Sequence, residues 1–215
     1  MNKSLFAILA LLLCLGLWIG CESSTPTSQT AAKSAAPAKA PEPITPYTGR
    51  EAFQRLYVAA RLWNADARPY RLESIPTTDN AGHEGKALIW RTGFASPGRQ
   101  KIEAFTWSGT HAEGAPEPGI SHNVEDVYNP SNSSTLIFDM IYLKADSSDA
   151  FKVAEQHGGQ KLTAKDPKQP VFYVLDWNPG ENALFWHVVY GNSRAEAKLT
   201  VEVNATTGLF VRVEK

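Results

Sequence analysis

Ala183-Leu184-Phe185-Trp186 repeats Ala87-Leu88-Ile89-Trp90 at an offset of 96 residues, and Tyr190 answers Phe94 at the same offset. Upstream, Ala150-Phe151 answers Ala52-Phe53 at an offset of 98, and each pair opens a helical pattern. Between them, Gln169-Pro170-Val171-Phe172 is similar to Arg68-Pro69-Tyr70. One such match carries little. Four in the same order predict a duplication, each copy a helix followed by strands. The expected fold class is therefore α+β: two repeated helix-on-antiparallel-sheet units, over residues 47–133 and 134–215. A helix laid on one face of such a sheet buries both apolar stripes.

Local patterns fill in the units. Thr48 and Glu51 are spaced as a capping box, in which each side chain satisfies a backbone N–H of the other residue. Phe53, Leu56, Tyr57, Ala60 and Trp63 then form one apolar stripe at helical spacing. A second helix is expected from Ser147 or Ser148, stopping at Gly158-Gly159. Leu199, Val201 and Val203 alternate with polar residues, as in a half-buried strand. Asn204-Ala205-Thr206-Thr207-Gly208 is a turn, beyond which Leu209, Val211 and Val213 continue the apolar face. Val171–Trp177 is apolar on both faces except at Asp176, and Leu136–Leu143 except at Asp139, so both are expected to be strands.

The N-terminus has a different character. Met1-Asn2-Lys3 leads into an uncharged apolar run from Leu5 to Ile19, short for a bilayer span and laid out like a signal peptide. Leu17-Trp18-Ile19-Gly20-Cys21 resembles the lipobox of bacterial lipoproteins, so residues 1–20 are expected to be removed and Cys21 acylated. By the same resemblance, Glu22 is not the aspartate that favours inner-membrane retention. The expected location is the cell envelope, at the outer membrane facing the periplasm if the host has two membranes. The expected partners are the lipid bilayer, through acylated Cys21, and an unidentified peptide or protein. Residues 21–46 carry the lipidated end and a tether rich in Ala, Pro, Ser and Thr, which cannot bury enough surface to order itself.

Composition then excludes classes. Without residues 1–20 the chain has 20 basic and 22 acidic side chains and a single cysteine, Cys21. That leaves no disulfide, no thiolate for a metal or nucleophile, and no basic field for nucleic acid.

The C-terminal unit is similar to the PepSY domain, a small cystatin-like α+β module of bacterial envelope proteins and protease propeptides. The residues carrying the resemblance are Ala150, Ala154 and Gly158, the strand Phe185-Trp186-His187-Val188, and above all Val201-Glu202-Val203-Asn204-Ala205-Thr206-Thr207-Gly208. The resemblance implies a binding or inhibitory module with no catalysis and no cofactor, so the expected function is that of a membrane-anchored, non-catalytic envelope lipoprotein binding a peptide, a protein partner or a protease.

Function is otherwise thinly written. Gly109–Ser133 shows neither helix nor strand pattern, and connectors of that length are either functional or disordered. It holds His111, His122 and Tyr128 and follows Trp107, and these four are the candidate ligand contacts. No spacing within it matches a catalytic or metal-binding motif, so neither catalytic residues nor metal ligands are expected. His187 is expected to be a partly exposed sheet residue. Two rival readings are an envelope hydrolase using the histidines of this loop and a carbohydrate-binding module using exposed Trp. The second requires Trp90 and Trp107 to be accessible.

Overall fold

The capping box forms as its spacing predicts. In a computed structural model that describes residues 45–214, Thr48 Oγ1 accepts from the Glu51 N–H, and a Glu51 carboxylate oxygen accepts from the Thr48 N–H at 2.8 Å. Strand β1 (Tyr47–Thr48) thus passes directly into helix α1 (Gly49–Trp63). Of the expected stripe, Phe53, Leu56 and Ala60 are buried and Tyr57 and Trp63 half-buried, and Ala52 beside them is buried too. Residues 1–44, with the expected signal peptide, Cys21 and most of the expected tether, lie outside the described residues.

The fold is mixed α+β, built on one large antiparallel sheet of nine strands. Its members are β2 (Arg68–Ser74), β4 (Ile89–Ser96), β5 (Lys101–Ser108), β6 (Gly119–His122), β7 (Asp126–Val127), β8 (Val171–Asn178), β9 (Ala183–Tyr190), β10 (Leu199–Asn204) and β11 (Phe210–Glu214). The order across the sheet is β11-β10-β9-β8-β2-β4-β5-β6, with β7 pairing further along β5. The β2–β8 pairing, with Leu72 opposite Leu175, joins the N- and C-terminal strands into one surface. A short β3 (Lys86–Ala87) pairs with β1 outside this sheet. Helix α1 covers β2, β4 and β5, while α2 (Ser147–Ala154) covers β9 and β10. The core between helices and sheet is aromatic: Phe53, Trp90, Phe94, Tyr173, Trp186 and Tyr190 are all buried there. Asn204–Gly208 makes the expected turn, with Gly208 at φ 73°.

Four local expectations are corrected. Leu136–Leu143 is not a strand. Asp139 caps a 3₁₀ turn at Met140–Tyr142 whose side chains face solvent, and only Phe138 and Leu143 enter the core. A continuous apolar run here reflects two inserted residues on an irregular segment. The second helix does not stop at Gly158-Gly159 either. It passes through a wide turn at Glu155–Gly159, with Gly158 at φ 119°, and resumes as α3 (Gln160–Lys165). Gly159 is required by close approach, because a Cβ there would sit 2.0 Å from the Tyr190 hydroxyl, which donates to Glu155. The stretch Gly109–Ser133, expected to be patternless, contributes β6 and β7. Finally, Leu209 and Val213 are exposed and Val211 is half-buried. A bulge opposite Glu202/Val203 breaks the alternation, and β11 is the last strand, pairing only with β10 in the sheet order.

Candidate functional site

Strand β5 alternates between the two faces of the sheet, and its helix-side positions are Glu103, Phe105 and Trp107. Two of these are core aromatics. The third is a carboxylate only 4 % exposed, which must find a partner to be tolerated there. Its partner is His122 on β6, whose Nδ1–H donates to Glu103 Oε1 at 2.5 Å. The imidazole stacks on Phe105 with centroids 5.7 Å apart, yet its side chain remains 66 % exposed. Nδ1 is thus committed inward, and Nε2 is the ring nitrogen free to face outward.

Around this ring Trp63, Glu103, His122, Asn123, Val124 and Glu125 line a shallow open groove of about 860 Å³. Trp63, the last residue of α1, donates its indole N–H to Glu125 at 2.7 Å, and Arg99 pairs with the same carboxylate at 2.7 Å. The Trp63 hydrogen bond, with the Arg99 guanidinium in support, holds the Glu125 carboxyl below the usual glutamate range. Val124 is 92 % exposed at the mouth of the groove. Beside it runs the sheet edge itself, since every residue of β6 is exposed and β6 ends the strand order.

Of the four residues expected to contact a ligand, His122 alone lines this groove. Trp107, expected at the loop mouth, is 6 % exposed and stacked on Tyr47 with ring centroids 4.1 Å apart. The segment before α1 closes over it, a contact no local pattern announces. Tyr128 is likewise buried, its backbone N–H donating to Gln100 O at 3.0 Å as the chain runs beyond β7. His111 is exposed and outside the groove. Trp90 is buried in the core, so neither tryptophan required by the carbohydrate reading is accessible.

Sequence reasoning missed Glu103 and Trp63. The signal was present: Glu103 shares the alternation of Phe105 and Trp107, and a charge at a buried alternation position demands a partner.

A second polar cluster was missed altogether. It lies on the face of the sheet opposite the helices, where register places Arg91 opposite Glu73, His187 opposite Val174, Glu202 opposite His187 and Arg212 opposite Glu202. Glu73 is held by Arg71 at 2.8 Å and by Arg91. His187, expected to be partly exposed, is buried. Its Nε2–H donates to Asp176 at 3.0 Å and its Nδ1–H to Glu214 at 2.6 Å. Burial disfavours the imidazolium, but these two carboxylates outweigh it and push the pKa up to about 9. Glu202 is 0 % exposed; its Oε2 pairs with the Arg212 guanidinium at 2.6 Å, while its Oε1 accepts no hydrogen bond. Burial raises its carboxyl above the ordinary range.

No family model matches the chain, and neither does any curated protein or solved structure. No helix among the described residues is long and apolar enough to cross a membrane.

Proposed function

We propose that the chain is a lipid-anchored, non-catalytic envelope protein whose duplicated, PepSY-like α+β domain binds an extended peptide segment of a partner protein at the β6 edge. The signal-peptide layout and Cys21 support the anchor, at the outer membrane facing the periplasm where the host has two membranes.

Duplication is supported by matched details around the two helices. Trp90 donates its indole N–H to Tyr47 O at 2.9 Å, and Trp186 donates to Ala145 O at 3.0 Å. Tyr47 and Ala145 each stand one residue before an N-cap, Thr48 for α1 and Asp146 for α2, and both helices carry a capping box. The elements also recur in order, α1-β2-β4-β5-β6 and α2-β8-β9-β10-β11.

The observation that carries the binding reading is the exposed edge strand Gly119–His122 beside a groove whose ring is held from beneath by Glu103. An uncovered strand offers a row of backbone donors and acceptors to an incoming chain. Ile120 and Val124 add exposed apolar surface for its side chains. The opposite edge is less receptive. On β11, Arg212 is tied to Glu181 and Glu202, Glu214 to His187, and Phe210 stacks on His157 at 3.7 Å.

The rival hydrolase reading draws on the same pair, since an imidazole oriented by a carboxylate is the arrangement of a general base. A photoreactive amino acid placed at Val124 in the native host tests the proposal, with Leu62 on the exposed side of α1 as reference. Crosslinking at Val124 that is absent at Leu62 and lost in His122→Ala is expected. Equal crosslinking at both positions, or insensitivity to His122→Ala, would contradict it.

A further inference from the structure

The polar cluster on the helix-free face of the sheet takes no part in the edge-binding proposal. We infer that His187 Nδ1, Glu202 and Glu214 form a site for one zinc-class divalent cation, with Asp176 orienting the imidazole through Nε2.

Four features meet there. One nitrogen or oxygen of each of the three residues lies within 4.8 Å of those of the other two. Ligands about 2 Å from a tetrahedral zinc stand about 3.3 Å apart, so small side-chain rotations close the set. His187 Nδ1 and Glu214 are already 2.6 Å apart.

Glu202 supplies the second, independent observation. It is fully buried and its Oε2 pairs with the Arg212 guanidinium at 2.6 Å, but its Oε1 has no partner, a condition that costs free energy unless a cation meets it. Arg212 reaches Oε2 from solvent, with its side chain half-exposed. It also binds Glu181 at 2.6 Å, so it can leave Glu202 and keep a partner.

Third, the Asp176–His187 contact is the carboxylate–histidine arrangement that fixes a metal-binding imidazole. The ring nitrogen remote from the metal keeps its proton and donates it to a carboxylate, which sets the tautomer and the ring plane. On binding, the proton on Nδ1 is released to water and the nitrogen lone pair goes to the metal. Two carboxylates and one imidazole then leave a fourth position for water.

Fourth, the donors come from three adjacent strands. His187 stands on β9, Glu202 on β10 and Glu214 on β11. A bound cation would pin the last strand to the sheet without touching the β6 edge. The imidazole selects the zinc class over hard cations, which prefer oxygen throughout.

The test is calorimetric titration of Zn²⁺, and separately Mg²⁺ and Ca²⁺, into the chelator-stripped full chain. One equivalent of Zn²⁺ is expected, with a raised thermal midpoint and no response to Mg²⁺ or Ca²⁺. Glu202→Gln keeps the shape of the side chain and should weaken Zn²⁺ binding at least about tenfold. Asp176→Asn should weaken it about 10–100-fold, the usual cost of losing such an orienting partner. His122→Ala should leave it unchanged. Nitrogen NMR of the His187 ring gives a readout that does not depend on variant folding, with zinc expected on Nδ1 and a retained Nε2 proton. Absence of stoichiometric Zn²⁺ binding, an unchanged His187 ring on adding Zn²⁺, or loss of binding with His122→Ala would overturn the assignment.

Discussion

Trp90 and Trp186 meet edge to face at the centre of the core, with ring centroids 6.4 Å apart and planes at 75°. Each is fully buried, and each ties its indole N–H to the chain entering a helix. The two helix N-termini meet over this pair, where the Gly49 N–H donates to Ser147 Oγ at 2.7 Å and the Arg50 N–H to Asp146 at 2.9 Å. Replacing either tryptophan by Ala should cost about 3–5 kcal/mol, the range for deleting a large buried aromatic ring. Denaturant unfolding of both variants checks this. A loss under about 1 kcal/mol at one site alone would break the proposed equivalence of the halves.

Gly49 lies directly against that pair. A Cβ there would stand 2.6 Å from one Trp186 ring carbon and 3.2 Å from a Trp90 ring carbon. Gly49→Ala should therefore destabilise by about 1–3 kcal/mol through overpacking, although Ala favours helix. Stabilisation in thermal unfolding would mean that the tryptophans move aside freely.

Glu73 sets an acid dependence. Burial raises its pKa, but hydrogen bonds from Arg91 and Arg71 prevail and hold it below 4.5 in the folded protein. A carboxyl depressed on folding adds stability that is present above its unfolded pKa and lost as pH falls through its folded one. The stability gap between wild type and Glu73→Gln should hold steady from neutral pH to about 5 and close below 4.5. Denaturant midpoints across this range decide the matter, and a gap that widens in acid would reverse the sign.

The anchor is tested by radiolabelled palmitate. Label should enter the wild type and Cys14→Ser and be absent from Cys21→Ala. Equal labelling of Cys21→Ala would remove the lipoprotein reading.

What could be read in the sequence, and what could not, follows from the range of the interactions involved. The capping box of Thr48 and Glu51 and the stripe from Phe53 to Trp63 act within a few residues, so pattern alone finds them. Leu136–Leu143 misled because an apolar run does not say which side chains go inward. The decision is made by distant contacts such as the Phe138 N–H to Pro69 O hydrogen bond at 2.9 Å. His187 was misplaced for the same reason. Its carboxylate partners lie 11 and 27 residues away, on strands whose register no local pattern fixes. Asp176 interrupting an apolar strand was the visible trace of that cluster. At the β6 edge His122 was found as a residue but its setting was not, because Glu103 and Trp63 reach it only through strand pairing and the end of α1.

The central claim, an extended peptide recognised at the β6 edge beside His122, is tested most directly by selecting displayed random peptides on the immobilised full chain. Affinities of the selected peptides are then measured on wild type, Glu103→Gln, His122→Ala and Val124→Asp. The account predicts enrichment of peptides whose binding weakens about tenfold or more in the His122 and Val124 variants, roughly 1.4 kcal/mol. Glu103→Gln should give a smaller loss, since its amide oxygen still accepts from His122 Nδ1–H but without the charge that strengthens the bond. No enrichment, or peptides that bind all four proteins alike, would contradict it.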